Sequence, residues 1–262
     1  MDNASTPQSL LSTDGHPSPA APGSRSPRYL LFVAGAFLAG FAALSVDVPV
    51  AKWCAAGNCP GDLKKIFHLA ETFAHGIGVA IILLAMFLLD PVRRWMMPRL
   101  VVMTISAGLC ANLIKLTIAR ARPRAFDLEL GVWDSFAGWL PLTEAGSAGQ
   151  SLPSAHTTTA FAFAIGLAWA YPRGRWLFAT LAVLAACQRV VAEAHFLSDI
   201  CWGAALGSLI GCGFVRGWLS PKWLDRWEAS LARRLATKWE PLEDGTGRCL
   251  DDLATDEQRR AA

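Results

Sequence analysis

Six runs of apolar residues, most of them near the 20 or so needed to cross a bilayer, dominate this chain. They fall at 29–47, 66–89, 100–119, 155–171, 176–194 and 199–218, the fourth being short. Six crossings, an even number, return both ends to one side. Of 262 residues, 53% are hydrophobic and only 17% charged, a balance that argues against an ordinary soluble domain. The expected fold is therefore all-α: a six-span transmembrane helical bundle over 29–219. A formal charge of +3, with no Lys/Arg strip interleaved with aromatics outside the tail, argues against a nucleic-acid partner.

Orientation follows from the cations. Arg25, Arg28, Arg93, Arg94, Arg99, Arg173, Arg175, Arg216, Lys222 and Arg226 share one face if both termini are cytoplasmic. Residues 1–28, rich in Ser, Pro, Ala and Gly, read as a disordered cytoplasmic tail and not a cleavable signal, so the first span serves as an uncleaved anchor. Residues 220–242 read as an amphipathic helix on the inner leaflet. Ser220 and Pro221 suit its start, and Trp223, Trp227, Leu231, Leu235 and Trp239 alternate with cations. A helix packed on another cytoplasmic element is the competing reading. Residues 243–262 read as a second disordered tail. Seven cysteines show no zinc spacing; Cys54 and Cys59 share the first outer loop, where a small disulfide and two free thiols are both open.

Charge inside an apolar span costs roughly 2.5–3.5 kcal/mol per group, so each needs a reason. Three clusters stand out, all expected at the outer ends of spans. In "KLTIARARP", Lys115 and Arg122 are seven apart, on one helical face, and Pro123 ends the helix. Two such cations suit a multiply charged anion, while Arg120 and Arg124 read as snorkelling to lipid headgroups. In "SLPSAH", Ser154 caps the fourth span, with Ala155 and His156 in its first turn, where free backbone N–H groups suit phosphate oxygens. In "RVVAEAHFLSDI", His195 and Asp199 are four apart, so the carboxylate can orient the imidazole. A buried Arg189–Asp199 ion pair is the alternative. Cations, a helix start and two histidines, one with a carboxylate, are the parts for phosphoryl transfer through a histidine. A fourth stretch, "HLAETFAH", puts His68, Glu71, Thr72 and His75 on one face of the second span; Glu71 and His75 are candidates to contact the headgroup or to orient the site cations, with polar packing beside the site and metal binding as the other readings.

These residues resemble the three-part pattern of the type 2 phosphatidic acid phosphatases, whose superfamily includes glucose-6-phosphatase and the vanadium haloperoxidases. The pattern is Lys-x6-Arg-Pro, Pro-Ser-x-His and Arg-x5-His-x3-Asp, here Lys115 to Pro123, Pro153 to His156 and Arg189 to Asp199. Ala155 stands where Gly is usual and Gln188 where Ser is usual, changes expected to tune substrate fit. The resemblance implies that His195 attacks phosphorus, Asp199 fixes its tautomer, and His156 protonates the leaving oxygen and then activates water. Lys115, Arg122, Ser154, the Ala155 N–H and Arg189 would hold the phosphate oxygens. No metal or other cofactor is expected. The expected function is a metal-independent phosphatase acting on a lipid phosphate or pyrophosphate at the outer leaflet of the plasma or inner membrane. A phosphotransferase and an anion transporter are the alternatives. The expected partners are the lipid substrate and membrane lipids, with no obligate protein partner.

Overall fold

The computed structural model describes residues 27–142 and 146–238, and within them the chain is a helical bundle. Its helices are α1 (Pro27–Ala43), α2 (Asp47–Ala55), α3 (Gly61–Glu71), α4 (Gly76–Leu89), α5 (Met97–Lys115), α6 (Ala155–Ala170), α7 (Arg175–Val191), α8 (Leu197–Val215) and α9 (Lys222–Lys238). Between α5 and α6 the chain makes a small antiparallel hairpin, β1 (Ile118–Arg120) with β2 (Phe136–Trp139). Ile118 pairs with Trp139 and Arg120 with Phe136, across a bulge after Ala119. The expected terminal tails, 1–28 and 243–262, fall almost wholly outside the described residues.

α6 lies at the centre, packed between α5, α7 and α8, while α1 covers the other side of α8. The close approach of α8 to α6 has a visible cause. Gly203, Gly207 and Gly211 recur every four residues, so they share one face. A Cβ on Gly207 would stand 2.2 Å from the Thr158 carbonyl oxygen, and one on Gly203 would stand 2.9 Å from that of Ser154. The glycines thus bring the start of α8 directly beneath the start of α6. Phe163 and Leu167 fill the contact with α7, and Leu100, Met103, Ile210 and Phe214 fill the contacts among α5, α6 and α8. Large apolar side chains also point outward along whole helix faces, such as Ile77, Ile81, Leu84 and Leu88 on α4, and Ile105, Leu109 and Leu113 on α5. Lipid, not water, suits such faces.

The spans differ in part from the expected six. Three helices are long and apolar enough to cross a membrane: Pro91–Lys115, Pro172–Val191 and Leu197–Val215. Counting each bent pair as one span raises the number to five. α1 and α2 meet at 72°, and α3 and α4 at 62°. α6, with 16 residues, is shorter than a full crossing. The expected unbroken helix over 66–89 therefore stops at Glu71 and restarts at Gly76. α3 carries Asp62, Lys64, Lys65, His68 and Glu71, whereas α4 carries no charged residue. His75 caps α4, its Nδ1 accepting from Ile77 N–H at 3.3 Å, so it does not continue the face of His68 and Glu71.

Two more expectations change. The helix carrying Lys115 ends there, not at Pro123, because β1 pairs with β2 immediately afterwards. α9 is docked on the bundle: Leu224 is fully buried, and Arg99 bridges Asp225 at 2.8 Å, Glu228, and the Phe214 carbonyl at 2.8 Å. Packing on protein, the competing reading, thus describes this face of α9, and Arg99 is a buried ion-pair member instead of a free interfacial charge. Trp223 and Trp227 remain exposed on α9. Cys54 and Cys59 are both free thiols, Cys54 being buried on α2.

Candidate active site

Chain direction gathers the three charged clusters at one end of the bundle. α5 finishes there at Lys115, α6 starts there after Ser154, α7 finishes there at Arg189, and α8 starts there before Asp199. Ser154 is the N-cap of α6, as its sequence suggests; its Oγ accepts from Thr157 N–H at 3.4 Å and from the Thr157 hydroxyl at 3.0 Å. Ala155 and His156 occupy the first turn and are half-buried. Ser154 N–H donates to the Asp199 carbonyl at 3.2 Å, which ties the two helix starts together.

His195 lies between α7 and α8 and is 2% exposed. Its Nδ1 is 2.7 Å from the Ser151 carbonyl oxygen, and 3.8 Å from the Asp199 carboxylate. The carbonyl is the nearer acceptor, so Nδ1 carries the proton and Nε2 keeps its lone pair. This corrects the expected direct bond from Asp199. The carboxylate acts one step back: Oδ2 accepts from the Ser151 hydroxyl at 2.6 Å and from Phe196 N–H at 2.9 Å. It thereby holds both chain segments that flank the imidazole. Burial keeps His195 below the ordinary histidine value of 6.5, against the opposing pull of Asp199.

Arg120 is the side chain that the sequence reading misplaced. It is not at the lipid headgroups but fully buried, sandwiched between the rings of Phe136 and Phe196 at 4.6 and 4.5 Å. Its Nη1 donates to Asp199 Oδ1 at 2.5 Å and to Ser198 Oγ at 2.7 Å, and its Nη2 donates to Asp47 at 2.7 Å. Nε reaches Ser135 Oγ at 3.2 Å. Asp47, at the start of α2, also accepts from Ser198 N–H at 2.9 Å. Asp47 and Ser135 were not among the sequence candidates. An aspartate just after an apolar run carries a weak signal, and a serine in a loop carries none.

Arg189 pairs with Glu71 at 2.8 Å, not with Asp199. Gln188 fixes this pair, donating to Glu71 at 2.9 Å and accepting from Arg189 at 3.1 Å. Glu71 is thus a partner of a site cation, the second of the two roles its sequence leaves open, and not a headgroup contact. The His75 ring centroid is 6.1 Å from that of His156. Lys115 is 7% exposed at the last turn of α5. Lys115, Arg189 and His195 lie near enough for their charges to act on His156, and Lys115 and Arg122 for theirs to act on His195. Buried Nε groups of both Arg122 and Arg189 have no hydrogen-bond partner among the described residues. Burial, together with Arg124 and Arg189, lowers Arg122 from the usual arginine value. A cluster of cations with unsatisfied donors, beside a helix start, can hold a multiply charged anion. Among the described residues, no three His, Cys, Asp or Glu are gathered as metal ligands would be.

Comparison with known proteins agrees with this geometry. Residues 98–222 match the model of the PAP2 superfamily, and all three clusters lie inside that stretch. Residues 98–222 are a PAP2 superfamily domain. A protein named lipid A 1-phosphatase from Rhizobium johnstonii is 38% identical to the chain over 115 residues, 44% of each. One of the same name from Rhizobium etli is 36% identical over 114 residues, 43% of this chain and 46% of its own. The chain thus spans less than half the length of these curated relatives. No solved structure matches it at a significant level. Asp47 and Glu71 lie outside the matched PAP2 stretch, yet both hold arginines within it.

Proposed function

We propose that this chain is an integral-membrane phosphatase that hydrolyses a lipid phosphate or pyrophosphate through a phosphohistidine, without a metal. One observation carries the reading: His195 presents an unprotonated Nε2, set by the Ser151 carbonyl, within electrostatic reach of Lys115 and Arg122. In the first step Nε2 forms a bond to phosphorus as the bond to the leaving oxygen breaks, and His156 protonates that oxygen. In the second, His156 takes a proton from water, which attacks the phosphohistidine and frees His195 and phosphate. The guanidinium groups, the Lys115 ammonium, Ser154 and the Ala155 N–H stabilise charge on the three equatorial oxygens. Asp199 balances the positive charge that grows on His195, acting through Ser151 and the local backbone.

The membrane setting of this reading rests on charge. Arg93, Arg94, Arg173, Arg175 and Arg216 lie at the end of the bundle opposite the site, which the positive-inside rule makes cytoplasmic. The site then faces the outer leaflet, at the depth of a lipid headgroup. α6, shielded from lipid by its neighbours, crosses despite its length, and six passes result. The name shared by the two relatives, lipid A 1-phosphatase, supports lipid A as one candidate substrate, beside phosphatidate and polyprenyl pyrophosphate. The polar groups gather at one end, and the break before α4 lies beside His156 at that same end; neither arrangement forms a route across the membrane.

The deciding experiment is phosphate release from a panel of lipid phosphates and pyrophosphates by the purified protein, with chelator present. Release by the wild type, lost in His195→Ala, supports the reading. Release that persists in His195→Ala, or that stops with chelator, overturns it. Free phosphate appearing in proportion to substrate loss separates hydrolysis from transfer to another hydroxyl.

A further inference from the structure

Five buried side-chain polar atoms among the described residues have no hydrogen-bond partner, and they fall into two groups. Arg122 Nε and Arg189 Nε belong to the site above. The other three, Tyr29 Oη, Ser208 Oγ and Arg216 Nη1, cluster toward the opposite end. There a crevice of about 260 Å³ opens between α1, α6, α7 and α8, with Tyr29, Arg175 and Ser208 in its lining. The Arg216 guanidinium stands 3.8 Å over the Tyr29 ring. On α6 the lining runs from Phe161 to Ala168, seven steps of the helix and therefore about 10 Å along it. The rest is mostly alanine and phenylalanine. The crevice is thus a slot from the far end of the bundle toward its middle, with two arginines near its mouth.

Ser208 is 1% exposed. A buried hydroxyl in a helix ordinarily bonds the carbonyl one turn back, as Thr104 does to Leu100 at 2.6 Å. Ser208 does not, so its donor is free toward the slot. A buried polar group left unpaired is costly, and lipid tails offer no remedy. Three such groups around one slot call for an occupant that brings acceptor oxygens and negative charge as well as hydrocarbon.

We propose that this crevice binds an anionic phospholipid of the leaflet at the far end. One acyl chain lies in the slot, the phosphodiester pairs with Arg216 and Arg175, and headgroup and ester oxygens accept from Tyr29 and Ser208. The proposal stands apart from the phosphatase reading, because none of these residues belongs to the phosphate site. It is tested on the full chain, purified in detergent and stripped of lipid, by thermal unfolding with phosphatidylglycerol or phosphatidylcholine added. Phosphatidylglycerol is expected to raise the Tm by several degrees more than phosphatidylcholine. The difference should be at least halved in Arg216→Gln and abolished in Ser208→Leu, whose side chain fills the slot. Arg175→Gln, at an exposed position, carries the test if those two variants do not fold. Equal stabilisation by the two lipids, or a phosphatidylglycerol effect intact in every folded variant, overturns the proposal. No lipid effect in the full chain, with a lower Tm on deleting residues 2–26, would instead place the chain's own N-terminal segment in the slot.

Discussion

His195 shows how one residue's protonation follows from its surroundings. Its Nδ1 is committed to the Ser151 carbonyl, and burial disfavours its charged form. A nucleophile must be unprotonated, so activity falls only as pH drops through the folded value, which lies below 6.5. Phosphoenzyme formation in His156→Ala, with a substrate whose leaving group needs no proton, isolates this titration. Its acid limb is expected below pH 6.5 in rapid-quench measurements; a limb above 6.5 would contradict the burial account. Arg120 makes the opposite point. The same short pattern, an arginine at the end of an apolar run, fits both a snorkelling side chain and a buried anchor. Only the partners decide, and Asp47 is 73 residues away in sequence. Removing one member of a buried ion pair costs about 3–5 kcal/mol, since the other charge stays behind. Arg120→Ala is therefore expected to lower the Tm in detergent sharply and to lose phosphate release. Asp47→Asn, which keeps Asp199 paired, should lose less of both.

At the scale of elements, what was legible was what local chemistry dictates. Ser154 after Pro153 is a helix start by residue type, and the three clusters fall at one end because helices alternate in direction. The hairpin, the stop at Lys115 and the break at 72–75 were not legible. β1 has only three residues, and its pairing with β2 spans the loop between them. The break separates a polar helix from an apolar one, which a reading by apolar run alone merges. The glycine face of α8 is written in the sequence only as a spacing of four, which does not say what it packs against. It makes a specific demand, because a methyl group at position 207 would meet the Thr158 backbone at 2.2 Å. Overpacking of this kind costs about 1–3 kcal/mol. Gly207→Ala is expected to lower the Tm and to reduce turnover more than it weakens substrate affinity, since α6 carries Ser154 and His156. Unchanged unfolding and kinetics would show that α6 and α8 can separate freely.

For the whole molecule, the polar groups of the site and the arginines of the far end define a polarity that the membrane should respect. On the proposed orientation, Trp133→Cys in the outer hairpin, 70% exposed in the parent, should react with an impermeant maleimide on intact cells. Arg173→Cys, in the turn between α6 and α7, should react only after permeabilisation. The native thiols are replaced first, each by Ala or Ser. The reverse labelling pattern would invert the orientation and move the substrate to the other leaflet.

The ion pairs of Arg120 with Asp47 and of Arg189 with Glu71 have a further bearing on dissection of this chain. The stretch that matches the PAP2 superfamily begins at 98, after both carboxylates. A fragment trimmed to that homology would keep every motif residue and yet strand two guanidinium groups in the interior, each short of an acid. The recognisable unit and the unit able to stand alone are thus different lengths of polypeptide, and the helices that carry Asp47 and Glu71 act as scaffold for machinery they do not visibly encode.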